Sequence, residues 1–202
     1  SVTGVQTCAL PISGVAFTGS TETAVAINRA LAARGGAVPA LIAETGGINA
    51  MIADSSALPE QVARDAIASA FDSAGQRCSA LRILCLQEEV ADRTRARVKG
   101  ALHELSIGRT VRLATDIGPV ITAEAKANIE RHIAAMRAAG HTVEQAQLAG
   151  DTTHGTFVAP TIIELDDIAA LEREVFGPVL HVVRFRRDQL DRLIDRINAT
   201  GY

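Results

Sequence analysis

Four short segments carry residues whose types and spacing could do chemistry. In Phe71-Asp72-Ser73-Ala74-Gly75-Gln76-Arg77-Cys78-Ser79-Ala80, a cysteine falls among small residues between a helical and an apolar stretch. A thiol attacks carbon only as the thiolate, a form that backbone donors and nearby positive charge favour. Cys85, inside the apolar run Leu81 to Leu86, reads instead as a packed, inert cysteine. Glu44-Thr45-Gly46-Gly47 sets a carboxylate at the end of an apolar strand, where partial desolvation raises its pKa toward that of a general base. The alternative there is a surface glutamate before a tight turn. Phe17-Thr18-Gly19-Ser20-Thr21-Glu22 feeds a small-residue turn into a helix, whose free N–H groups and dipole suit a phosphate. It lacks the G-x-G-x-x-G spacing, and an ordinary turn capped by Ser20 or Thr21 explains the same residues. Glu174-Val175-Phe176-Gly177-Pro178-Val179 presents a carboxylate and a ring two residues apart, on one side of an extended segment. Such a pair can take ribose hydroxyls and abut a nicotinamide, or can be a loop glutamate beside a core phenylalanine that anchors the turn.

The elements that must position these residues alternate. Short apolar strands are expected at Gly14 to Phe17, Ala40 to Ala43, Asn49 to Asp54, Leu81 to Leu86, within Phe157 to Leu165, and at Val179 to Phe185. Helical composition or spacing marks Glu22 to Ala33, the stretch from Pro59 to Phe71, Glu88 to Leu105, Ala123 to Ala139, and the segment holding Leu190, Leu193, Ile194 and Ile197. Pro59 fits a first helical turn, where its missing N–H costs nothing. Gly150 to Gly155 reads as a polar turn. Strands alternating with helices predict an α/β fold with a largely parallel sheet.

The 202 residues are 48% hydrophobic, enough for a sizeable core and too much for a disordered chain. Aromatic residues make up 3%, without tryptophan, and the net charge is −3, which argues against nucleic-acid binding by stacked rings on a basic surface. No apolar run approaches the ~18 residues that span a bilayer, and no secretory signal stands at the start. Three cysteines, Cys8, Cys78 and Cys85, are an odd and sparse set, which reads as reduced and intracellular, hence a cytoplasmic location.

Each motif alone is weak, but their order and separation are specific. Gly-Ser-Thr, then E-x-G-G at Glu44, then GQ-x-C-x-A at Cys78, then E-x-F-G-P at Glu174 resembles the NAD(P)-dependent aldehyde dehydrogenase superfamily over about Gly14 to Tyr202. Within it, LIAETGGINAMI, SAFDSAGQRCSALRILCLQ and REVFGPVLHVVR are most similar to the L-glutamate γ-semialdehyde (1-pyrroline-5-carboxylate) dehydrogenase half of bacterial bifunctional proline utilisation proteins. Thr45, where most of the superfamily has Leu, agrees with that. The resemblance implies an aldehyde-dehydrogenase-like fold: residues 14–39 are the last strand–helix piece of a Rossmann-type NAD-binding domain, and residues 40–202 a truncated catalytic domain. It implies Cys78 as nucleophile, Glu44 as the base that activates the hydrolytic water, and Ser79 at the α-carboxylate of the substrate. Gly19, Ser20, Glu174 and Phe176 are then cofactor residues. The cofactor implied is NAD, with FAD only where a proline dehydrogenase domain precedes. No metal is implied, the partner is a small aldehyde, and the parent is a homo-oligomer. Ala24 stands where many relatives have Gly.

The family's second oxyanion donor, an upstream Asn, and its adenosine-binding Lys and Glu have no counterpart in these residues. The chain is therefore expected to be a piece of a larger protein, inactive by itself, and a folded, non-catalytic fragment is the competing reading. An aldehyde dehydrogenase of other specificity is a second alternative. A third is a Cys–His hydrolase using Cys78 with His103, His132, His141, His154 or His181, which leaves Glu44 and Glu174 unexplained. Residues 1–13 show no period, and Val2 to Ile12 resemble the in-frame translation of a sequencing adapter, so this leader is expected to be non-native. Resequencing the source locus is expected to return different codons upstream of Gly14; native codons for VTGVQTCALPI would refute that.

Overall fold

The structure, a computed structural model, describes residues 13–148 and 152–202. Cys8 and the adapter-like segment lie outside the described residues, as does the start of the Gly150 to Gly155 turn. The chain divides after Gly46 into two compact units.

In the first unit, β1 (Gly14–Thr18) and β2 (Ala40–Glu44) pair in parallel, with Gly14 against Ala40 and Thr18 against Glu44. Between them runs α1 (Thr21–Ala33). Ser20 caps it, its hydroxyl accepting from the Thr23 N–H at 3.2 Å, and Glu22 places negative charge at the positive end of the helix dipole. Ala24 is the residue that α1 buries. The ladder ties β2 to β1, which keeps residues 40–44 in the first compact unit.

The second unit is built on a five-stranded sheet in the order β3-β4-β7-β6-β5. Its strands are β3 (Ala50–Ala53), β4 (Ile83–Gln87), β5 (Thr142–Gln145), β6 (Thr161–Leu165) and β7 (Val179–Phe185). All pairings are parallel except β5 on β6, which is antiparallel. The helices are α2 (Pro59–Phe71), α3 (Glu88–His103), α4 (Ala123–Ala138) and α5 (Leu190–Asn198). Strand periodicity assigns the two faces. Arg184 of β7 and Glu164 of β6 reach Asp92, Arg95 and Lys99 of α3, whereas His181 of β7 meets His132 of α4. So α3 covers one face and α4 the other. β4 and β7 are nearly continuous apolar runs, as strands covered on both faces must be.

Some expected boundaries shift. β4 starts at Ile83, not Leu81, since the N–H groups of Leu81 and Arg82 donate outside the ladder, to Ser69 and Asn49. α3 ends at His103, two residues short of Leu105. The strand expected within Phe157 to Leu165 is Thr161–Leu165. Among the described residues, no helix is long and apolar enough to cross a membrane.

His181 is completely buried. Its Nδ1 lies 3.1 Å from the Arg82 carbonyl, which can only accept, so Nδ1 carries the proton. Nε2 then accepts from His132 Nε2 at 2.9 Å. Burial, chiefly, pushes the His181 pKa down to about 3, so the ring is neutral in the folded protein. Below about pH 6.5 a histidine of the unfolded chain takes a proton that folded His181 does not, so acid favours unfolding. This contribution is expected to erode stability by about 1.4 kcal/mol per pH unit from near pH 6 down to near pH 3. Urea unfolding across that range checks it: His181→Leu, though less stable at pH 7, should show a flatter pH dependence, and equal slopes would refute a neutral buried ring.

Candidate active site

The site residues of the second unit are held together by backbone geometry that begins where α2 stops. Ser73, Ala74 and Gly75 have φ of 58°, 53° and 65°, three successive left-handed residues, and the first two are not glycine. Each such non-glycine residue costs on the order of 1–3 kcal/mol, and such strain concentrates at functional loops. Gly75 admits no side chain: a Cβ would sit 2.1 Å from the Gly177 carbonyl oxygen. One on Gly177 would sit 2.3 Å from Ile129 Cδ1. The GQ-x-C and E-x-F-G-P segments thus touch backbone to backbone, with α4 closing over them.

Cys78 and Ser79, both exposed, occupy the two central positions of a turn closed by the Ala80 N–H donating to the Arg77 carbonyl at 3.1 Å. Gln76 Oε1 accepts from the Ile121 N–H at 2.8 Å, which fixes the segment just before α4 to the same loop. Asn49 donates through Nδ2 to the carbonyls of Cys78 at 2.7 Å and Ala80 at 2.9 Å.

Arg82 is the centre of the arrangement. Its side chain is completely buried, and all five guanidinium N–H donors are placed. Nε and Nη2 donate to Glu174 Oε1 at 3.1 and 2.8 Å, Nη1 to the carbonyls of Gly75 at 2.8 Å and Gly177 at 3.2 Å, and Nη2 also to Arg77 at 3.1 Å. Burial lowers the Arg82 pKa, and the Glu174 carboxylate opposes that shift. Glu174 Oε2 accepts from the Gly47 N–H at 3.2 Å, which brings the end of the E-x-G-G segment in as well. Phe176, 47% exposed, has Arg82 Cζ 5.4 Å from its ring centroid. It is a presented ring, not a core anchor. Glu174, Phe176, Gln76, Asn128 and His132 line a cleft of about 440 Å³, within the range of small-molecule sites. A larger hollow of about 740 Å³ between α2 and α3 is lined by none of the candidate residues.

In the first unit, Ser20 is engaged in capping α1, and the Gly19 N–H donates to the Glu44 carbonyl at 3.1 Å. The Glu44 residue is exposed, contrary to the expected partial desolvation. Within that unit, two strands and one helix leave the end of β2 uncovered. Cys85 is buried and its thiol is pushed up to about 12 by desolvation, as an inert cysteine requires. Among the described residues no hydrogen bond joins a histidine to Cys78: His103 pairs with Glu144 and His132 with His181.

Sequence reasoning missed Arg82 and Asn49. A signal existed for Arg82: one charge within the apolar run Leu81 to Leu86 must find a buried acid.

A protein-family model described as "Aldehyde dehydrogenase family" matches residues 7–202, and the chain belongs to that family. Among individual proteins, bifunctional protein PutA of Klebsiella aerogenes is 62% identical over 199 residues, covering 95% of this chain and 15% of that protein. A solved structure of proline utilization A with proline bound in remote sites matches with a TM-score of 0.87 at 56% identity, covering 94% of this chain and 19% of that one. Betaine aldehyde dehydrogenase from Staphylococcus aureus in complex with NAD+ matches with a TM-score of 0.84 at 29% identity, covering 92% and 37%. The fold is that of the aldehyde dehydrogenases, and the chain spans about 15% of the length of the PutA proteins it matches.

Removing one partner of a buried ion pair leaves the other charge uncompensated, whereas removing both costs less. Arg82→Met is therefore expected to lower unfolding free energy by about 3–5 kcal/mol in urea titration. The double variant Arg82→Met/Glu174→Gln should recover part of that loss; a double variant as unstable as the sum of the singles would refute the pairing.

Proposed function

We propose that the protein containing this chain oxidises L-glutamate γ-semialdehyde, formed from 1-pyrroline-5-carboxylate, to L-glutamate with NAD. The observation that carries the reading is the exposed Cys78 turn, tied through Arg82 to the segment presenting Glu174 and Phe176. The 62% identity to a bifunctional proline utilisation protein supports the substrate.

Cys78 Sγ adds to the aldehyde carbon, and the carbonyl oxygen becomes an oxyanion that the Cys78 N–H can meet, since no hydrogen bond among the described residues takes that group. Collapse of this thiohemiacetal breaks its C–H bond, the hydrogen leaving as hydride to an acceptor that NAD would supply, and leaves a thioester on Cys78. Glu44 takes the proton of the water that hydrolyses it, which frees L-glutamate and restores the thiol. Ser79, next in the turn, is assigned to the α-carboxylate of the substrate.

The donor set fits NAD. The Glu174 carboxylate keeps lone-pair capacity on Oε2 beyond the Gly47 bond for a ribose hydroxyl, Phe176 offers an exposed ring face, and Gly19 with Ser20 stands at the N-terminus of α1. NAD, when bound, supplies the hydride acceptor. In a bifunctional parent, FAD would belong to a separate proline dehydrogenase domain.

In a full-length protein carrying these residues, Cys78→Ala is expected to reduce NADH formation from L-glutamate γ-semialdehyde to background. Glu44→Gln should still give a first-turnover burst of NADH and then stall as the thioester. Undiminished steady turnover in a folded Cys78→Ala variant would overturn the assignment.

A further inference from the structure

We infer that Asn49 is a positioning residue for the chemistry at Cys78: by holding the carbonyl side of the nucleophile turn, it keeps the Cys78 peptide N–H free for the oxyanion. The inference rests on the reading of Cys78 as nucleophile. Asn49 uses both hydrogens of its amide on this turn, one on the Cys78 carbonyl and one on the Ala80 carbonyl. Its own carbonyl accepts from the N–H groups of Arg82 and Ile83, at 2.9 and 3.0 Å, so one residue closes the chain from position 78 to 83. Arg82 Nη2 takes the carbonyl that opens the turn, that of Arg77.

Every carbonyl on the inner side of the turn that has a donor is thus held by Asn49 or Arg82. The N–H groups of Cys78 and Ser79, at the central positions, have no partner among the described residues. A peptide plane is rigid, so fixing a carbonyl fixes the N–H of the following residue. The Arg77 carbonyl, held by Arg82 and by the Ala80 N–H, shares its peptide plane with the Cys78 N–H, while Asn49 pins the next plane through the Cys78 carbonyl and the plane beyond the turn through the Ala80 carbonyl. Without the amide, the Cys78 and Ala80 carbonyls lose their donor, and the Cys78 N–H is positioned from one side only, through the bonds on the Arg77 carbonyl. A contribution to an oxyanion depends on such prior placement, because a donor that must reorganise during the reaction stabilises the transition state less.

The test uses Asn49→Ala and Asn49→Asp in a full-length protein carrying these residues. Asp keeps the shape but cannot donate. Turnover of the aldehyde and of p-nitrophenyl acetate should each fall by about 100-fold or more, the scale of losing one oxyanion donor. KM and the rate of Cys78 alkylation by iodoacetamide should stay within about threefold, because that displacement builds no oxyanion. Asn49→Ser, which keeps one donor, should recover part of the turnover and takes the place of Asn49→Ala if that variant does not fold. The inference is overturned by a folded variant that turns over like the wild type, or by alkylation falling in step with turnover, which would mean a displaced thiol. If Cys78→Ala itself left turnover intact, the underlying reading would fail, and the two failures are distinguishable.

Discussion

A buried guanidinium can be tolerated only if every N–H finds an acceptor, and the second unit is organised around meeting that demand for Arg82. Its partners come from a helix-terminal loop, a turn and a segment leading into β7, so satisfying one side chain brings distant parts of the chain to one place. Lysine could not substitute, since a single ammonium with three donors lacks the planar fork that reaches a carboxylate and three carbonyls at once. The glycines follow from the same constraint. Gly75 and Gly177 must approach closely enough for one nitrogen, Nη1, to serve both carbonyls, and no side chain fits between them.

The fold was largely legible in the sequence where burial is one-dimensional. The apolar run of β7 was delimited to the residue, because a strand covered on both faces leaves no polar alternation to blur its ends. β5 was missed: Thr-Val-Glu-Gln at an antiparallel edge has a single strong apolar residue, and its pairing with β6 is a tertiary fact. Leu81 was drawn into β4 because it is apolar and buried, but its N–H belongs to Ser69. The site was legible as motifs and not as a network. Cys78, Glu174 and Phe176 stand out by type and spacing, whereas Asn49 reaches the Cys78 turn across 29 positions of sequence and Arg82 reaches Glu174 and Gly177 across 92 and 95, partners that no local pattern encodes.

The left-handed run from Ser73 to Gly75 shows how local cost is carried by tertiary contact. Glycine at one position relieves only part of it; the Gln76 bond to Ile121 and the Arg82 bond to Gly75 hold the rest in place. The loop is mounted between α2 and the central strands β4 and β7, which are buried almost throughout, so the strained segment hangs from a rigid frame and not from other loops.

The contrast between Cys78 and Cys85 carries a consequence for oxidative stress. Cys78 is open to peroxide, while Cys85 lies without exposure in the central strand β4. A sulfenic acid formed on Cys78 is rescued quickly only when a second thiol can condense with it. Cys85 cannot do so unless the sheet opens, so among the described residues no resolving partner exists. Recovery would then depend on small thiols from outside, and without them the sulfur would be carried on to irreversibly oxidised acids.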